Sequence, residues 1–136
     1  GKRAMSPLPL HQMLAAGEEA CKQLRISTVL AVVDERGALA AYLRMDGAFF
    51  VSEGLAVDKA WTAAGFRCPT AEVRELLSGA PDDVQLGVLG RPRVCLVPGG
   101  LPVIVHGHFR GGVGASGGSA DQDAQVAKAM LAVATR

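Results

Sequence analysis

Gly111-Gly-Val-Gly-Ala-Ser-Gly-Gly-Ser-Ala-Asp-Gln-Asp123 is the stretch on which the fold of this chain turns. A β-branched, hydrophobic run (Leu101 to His106, then Phe109 to Ala115) ends in glycines, and a helix-start signal follows at once. Ser119 is placed to accept a hydrogen bond from the Gln122 N–H, and the Gln122 side chain to accept one from the Ser119 N–H, which is a capping box. Asp121 and Asp123 fall in the first helical turn, where negative charge suits the helix dipole. Exposed backbone at Gly117 and Gly118, a hydroxyl at Ser116 and a positive helix end together suggest a small-ligand cradle.

The same logic orders the rest of the chain. Leu10, Met13, Leu14, Gly17, Ala20, Cys21 and Leu24 repeat at three-and-four spacing and predict an amphipathic helix over 8–25. Thr28 to Asp34 and Ala38 to Arg44 are strand-like runs joined by Glu35-Arg36-Gly37, an antiparallel hairpin. Residues 50–66 are helix-compatible and rich in alanine, and Pro69 stops them, because the residue before a proline disfavours the α region. Thr70 is expected to cap a short helix through Leu77, and residues 79–92 read as an irregular loop. Three strands follow, at Val94 to Val97, Leu101 to His106 and Phe109 to Ala115, and a last helix runs from Ala120 towards the C-terminus. The expected fold is α/β (α+β) in three α/β/α layers, a five-stranded, mainly antiparallel sheet with helices on its faces.

At 136 residues the chain reads as one domain over 1–136, with a core large enough to need neither disulfide nor metal. Met5 is read as a natural start, with residues 1–4 an addition, or those four residues are native. A formal net charge of +1, without a basic block, gives nucleic acid no electrostatic footprint. No apolar run approaches the roughly 20 residues of a membrane helix, and no h-region follows Gly1 to Ser6. Cys21, Cys68 and Cys95 are odd in number and lack metal spacing, so they read as reduced thiols of a cytoplasmic protein.

Six pieces in register carry a resemblance: Val32-Val-Asp-Glu-Arg-Gly37, Arg44-Met-Asp-Gly-Ala48, Asp58-Lys-Ala-Trp-Thr-Ala63, Pro69-Thr70, Pro98-Gly-Gly-Leu-Pro102 and Gly114-Ala-Ser-Gly-Gly118 with Gln122-Asp123. In their order and spacing the chain resembles the GlcG/HbpS-like family, often called haem-degrading, which includes the C-terminal domain of PduO-type proteins. That resemblance implies a profilin-like layout and a homo-oligomer, from dimers to larger rings. It also implies a ligand, haem or a cobalamin-related molecule in some members. His106 and His108, flanking Gly107, depart from the family's hairpin tip.

Candidate residues follow from both lines. His11, beside the apolar stripe of the first helix, is the candidate axial haem ligand; the alternative is a half-exposed surface histidine. His106 and His108 would share a face in an extended strand and could pinch a metal, but no third ligand is evident, so no metal site is assigned. Asp58, Lys59 and Thr62 can share one side of the second helix, where Lys59 would bind a carboxylate or act as a base, or else form a structural salt bridge. Arg44, Trp61, Ser116, Gly117 and Gly118 complete the ligand-binding set. Gly114-x-Ser116-x-Gly118 has the spacing of a nucleophile elbow, yet no histidine follows Ser116 and the sheet is not parallel. Two functions stay open. One is a homo-oligomeric protein binding haem or a similar planar, anionic ligand, with no other cofactor, nucleic acid or membrane. The other is a small-molecule enzyme (lyase, isomerase or cyclase) using Lys59 with Asp46, Asp58 or Asp121 as acid and base in a pocket between subunits.

Overall fold

The computed structural model describes residues 6–136, so the expected start at Met5 and the tail before it lie outside the described residues. The chain runs α1 (Leu10–Leu24), β1 (Val29–Val33), β2 (Leu39–Arg44), α2 (Val51–Phe66), a 3₁₀ turn (Thr70–Glu72), α3 (Val73–Leu76), α4 (Asp82–Leu89), β3 (Gly100–Val105), β4 (His108–Ser116) and α5 (Ala120–Ala134). The strands form one antiparallel sheet in the order β2-β1-β4-β3. Helices α1 and α5 pack together on one face, and α2 covers the other.

That three-layer arrangement explains why β1 shows no polar alternation. Leu30 and Val32 face the core shared with Met13, Val126 and Met130, whereas Val29, Ala31 and Val33 meet Ala56, Ala60 and Ala64 of α2. Both faces are covered, so every position is apolar and fully buried. Strand β4 lies inside the sheet, between β1 and β3. A Cβ on Gly112 would meet the Ala60 carbonyl oxygen, and one on Gly114 the Ala56 carbonyl oxygen. The glycines of β4 and the alanines of α2 are therefore two halves of one close contact. The glycine-rich strand and the Ala-rich helix thus cover each other within the chain.

Three expectations are corrected. The sheet has four strands, because Val94 to Val97 joins no ladder: the Thr62 hydroxyl donates to the Arg93 carbonyl (3.0 Å) and accepts from the Cys95 N–H (3.0 Å), taking the place of a neighbouring strand. Thr70 does not cap a helix. Its hydroxyl donates to the Val97 carbonyl (2.8 Å) and accepts from the Gly100 N–H (3.1 Å), tying the far end of that segment. Within the expected loop 79–92, Asp82–Leu89 is helical, led by Pro81 and with Asp82 and Asp83 in the first turn. It buries no residue, which is why it left no apolar period to read.

Candidate functional site

Two groups of polar side chains are built at the two ends of β4. At its C-terminal end the chain turns through Gly117 and Gly118 into α5, and the expected capping box is present: the Gln122 N–H donates to Ser119 Oγ (3.2 Å) and the Ser119 N–H to Gln122 Oε1 (2.9 Å). The capped first turn aims Asp123 inward. Its carboxylate accepts hydrogen bonds from the Gly118 N–H (2.8 Å), the Gly117 N–H (3.4 Å) and Lys59 Nζ (3.0 Å). Lys59 also donates to the Ala115 carbonyl (2.9 Å). Lys59 is 1% exposed and Asp123 3%, so this is a buried, well-hydrogen-bonded ion pair. The anion that glycine amides and a helix end invite is here the chain's own carboxylate. Cys21 sits nearby in the core, its Sγ 3.1 Å from the Thr28 hydroxyl oxygen; burial chiefly, and the Asp123 and Glu18 charges, push its thiol upward from its ordinary range.

Of the sequence candidates, Ser116, Gly117 and Gly118 adjoin that pair and the others lie apart from it. Asp58 pairs with Arg93 (3.2 Å), whose guanidinium stacks over Trp61 at 4.5 Å from the ring centre. Trp61 and Thr62 line a small apolar cleft of about 220 Å³, in which the Thr62 hydroxyl is already committed to backbone. Arg44 pairs with Glu53 (3.0 Å) on the surface, beside Asp46 in a shallow cleft of about 460 Å³. Asp121 is exposed on the first turn of α5, and Ser116 is buried at the end of β4. Lys59 thus has one carboxylate within ion-pair distance among the described residues, Asp123, and neither Asp46, Asp58 nor Asp121. Sequence reading assigned Asp123 to the helix dipole and did not foresee this partner.

At the N-terminal end of β4 the picture is different. Val105 and His108 pair directly, leaving His106 and Gly107 as a two-residue turn with φ of 51° and 81°. Positive φ at both central positions is the type I′ pattern, and glycine tolerates it without penalty. The two imidazoles therefore do not share the face of an extended strand, as expected, but flank a hairpin tip. Beneath that tip lies an open groove of about 570 Å³ between the start of α1, the hairpin and the end of α5. Leu8, Pro9, Val105 and Val133 form its apolar wall, and His106, His108, Arg110 and Arg136 its polar side. No acidic side chain lines it among the described residues. His11 is exposed on the first turn of α1 and is not part of the lining. No cluster of three metal-ligating side chains occurs among the described residues.

Comparison with known proteins places this architecture. A family model described as haem degrading protein, HbpS-like, matches residues 9–132. An uncharacterized 15.0 kDa protein from the dhaT-dhaS intergenic region of Citrobacter freundii is 33% identical over 88% of this chain and 84% of its own length. The corrinoid adenosyltransferase PduO of Salmonella typhimurium is 33% identical over 95% of this chain, which spans only 38% of that longer protein. Among solved structures, a PduOC:heme complex superposes with a TM-score of 0.84 at 32% identity, over 98% of this chain and all of the other. With the match running from the start of α1 almost to the end of α5, the chain belongs to the HbpS-like, haem-degrading protein family.

Proposed function

We propose that this chain binds haem, or a planar anionic ligand like it, and that it does so as a homo-oligomer. The groove at the β3–β4 hairpin is the observation that carries the reading. It combines what such a ligand needs: apolar residues for the flat ring, imidazoles of the kind that ligate haem iron, and guanidiniums for carboxylates. The PduOC:heme complex, a structure of the same fold at 32% identity, supports the ligand class. When bound, haem would bring an iron centre; Leu8, Pro9, Val105 and Val133 would hold the ring, and Arg110 and Arg136 would pair its acidic groups. His106 and His108 are the imidazoles of the groove itself. His11 would serve a ring held between two copies.

The oligomer is supported by apolar surface at the other end of the molecule. Phe49 and Phe50, at 73% and 79% exposure, precede α2, and Val51, Leu39 and Tyr42 extend that surface along the free edge of β2. Adjacent exposed aromatics beside an unpaired strand edge favour a second copy.

Haemin titration followed in the Soret region tests the binding. Saturable binding with a shifted band is expected. His106→Ala, His108→Ala and His11→Ala, compared one at a time, identify the imidazole by loss of that shift. Titration without any spectral change would reject haem and turn attention to the acid–base enzyme alternative. Light scattering that shows a monomer at micromolar concentration would reject the oligomer.

A further inference from the structure

The groove at the hairpin differs in electrostatic character from the rest of the surface. The chain as a whole balances 14 Lys and Arg against 13 Asp and Glu. Within the groove there are two guanidiniums, two imidazoles and no carboxylate side chain. Elsewhere the arginines near the candidate sites are already engaged: Arg44 with Glu53, Arg93 with Asp58 and Trp61, Arg67 stacked over Phe109 at 4.4 Å. Arg110 takes part in none of the three ion pairs among the described residues. It is half-buried on β4 at the point where the β3–β4 register shifts, two residues after His108, and both side chains line the groove. A guanidinium on the sheet, without an ion-pair partner among the described residues, offers planar, paired N–H groups to an incoming carboxylate.

The imidazoles make a weaker case for recognition through metal. They flank a tight turn, and among the described residues no third ligand joins them to form a metal site from protein alone. We infer that the groove selects its ligand by carboxylates rather than by a metal, that its ligand class is a flat apolar molecule bearing one or two carboxylates, and that Arg110 is the residue determining this specificity. This rests on the groove being the ligand site proposed above. An imidazole–metal bond then adds to binding without being required for it. Arg136, on the opposite rim, supplies a second cation for a second acidic group.

Three probes separate these contributions: haemin, the metal-free protoporphyrin diacid, and its dimethyl ester, each titrated by absorbance and by ligand fluorescence where it fluoresces. The diacid is expected to bind within about tenfold of haemin, and the diester at least tenfold more weakly than the diacid, since a charged hydrogen bond is worth about a factor of ten or more. Arg110→Ala should weaken both acids about tenfold and leave the diester unchanged, while Arg110→Lys should restore part of the loss. Haemin binding that depends on a histidine, with no binding of the metal-free diacid, would overturn the inference and leave the haem reading standing. Equal binding of diacid and diester would overturn it too. Binding of the diacid without haemin would support the ligand class while rejecting haem, and binding of neither would reject both.

Discussion

Strand β4 meets a cation at each end, one reaching it from α2 and one on the strand itself, and the two ends treat them in opposite ways. At Ala115 to Gly118 the Lys59 ammonium is sealed from water and met by the Asp123 carboxylate, the Ala115 carbonyl and a loop whose amides also point at that carboxylate. At the other end the Arg110 guanidinium stands open beside His108 in a groove lined by no acidic side chain among the described residues. At the sealed end the Lys59 ammonium and the Gly117 and Gly118 amides are met by the chain's own acceptors, whereas at the open end Arg110 forms no ion pair among the described residues. The difference shows that a glycine-rich turn before a capped helix is not by itself a ligand cradle. Where the chain provides its own anion, such a turn becomes a joint between β4, α2 and α5.

The sharpest way to break that contrast is to remove one member of the sealed pair. Asp123→Ala leaves the Lys59 ammonium buried without a counter-ion and frees the Gly117 and Gly118 amides. Its expected cost is about 3–5 kcal/mol, read as a lower urea midpoint. Replacing both partners by apolar residues of similar size, as in Lys59→Met with Asp123→Leu, should recover most of that loss, because the cost lies in the orphaned charge. A loss below about 1 kcal/mol for Asp123→Ala would mean that water reaches Lys59, and the sealed end would be open after all.

A smaller effect is expected where β4 meets α2. The added methyl of Gly114→Ala lands against the Ala56 carbonyl oxygen, a backbone atom with no rotamer through which to escape. Overpacking of this kind costs about 1–3 kcal/mol and should separate α2 from the sheet, with slower refolding or earlier thermal melting as the readout. A variant as stable as the parent would show that α2 is loosely seated and that the contact does not hold the Lys59 end closed.

Local chemistry made most of the fold legible. The period of α1, the hairpin at Gly37, the stop at Pro69 and the capping box at Ser119 each state their structure within a few residues. What escaped was settled by partners distant in sequence. Val94 to Val97 has strand-like composition, but Thr62 and Thr70, some thirty residues away, take up its backbone groups. Helix α4 buries nothing, so no apolar period announced it, although Pro81 and two aspartates marked its start. The pairing of Lys59 with Asp123 spans 64 residues, and nothing local distinguishes Asp123 from Asp121 beyond its place in the helical turn. One signal did exist: in a capped helix starting at Ser119, position 123 lies one turn beyond the cap and faces the sheet with Val126, Ala127 and Met130. The groove was less legible still. His106 and His108 were visible in sequence, but the acid-free wall is assembled from both ends of the chain around the hairpin.

The smallest expected effect tests the open end. Arg110 forms no ion pair among the described residues and stands in a groove shared with Arg136 and two imidazoles. Removing its charge takes away repulsion between neighbours and loses only the partial burial of its aliphatic stem. The two nearly cancel, so Arg110→Ala should keep the urea midpoint within about 0.5 kcal/mol of the parent, as for a surface position without special contacts. The small remainder should shift with salt, since screening weakens repulsion between exposed like charges. A loss of 1.5 kcal/mol or more would assign the guanidinium to the fold. Both ends of β4 would then be structural, and the free donors that argue for a ligand would not be free.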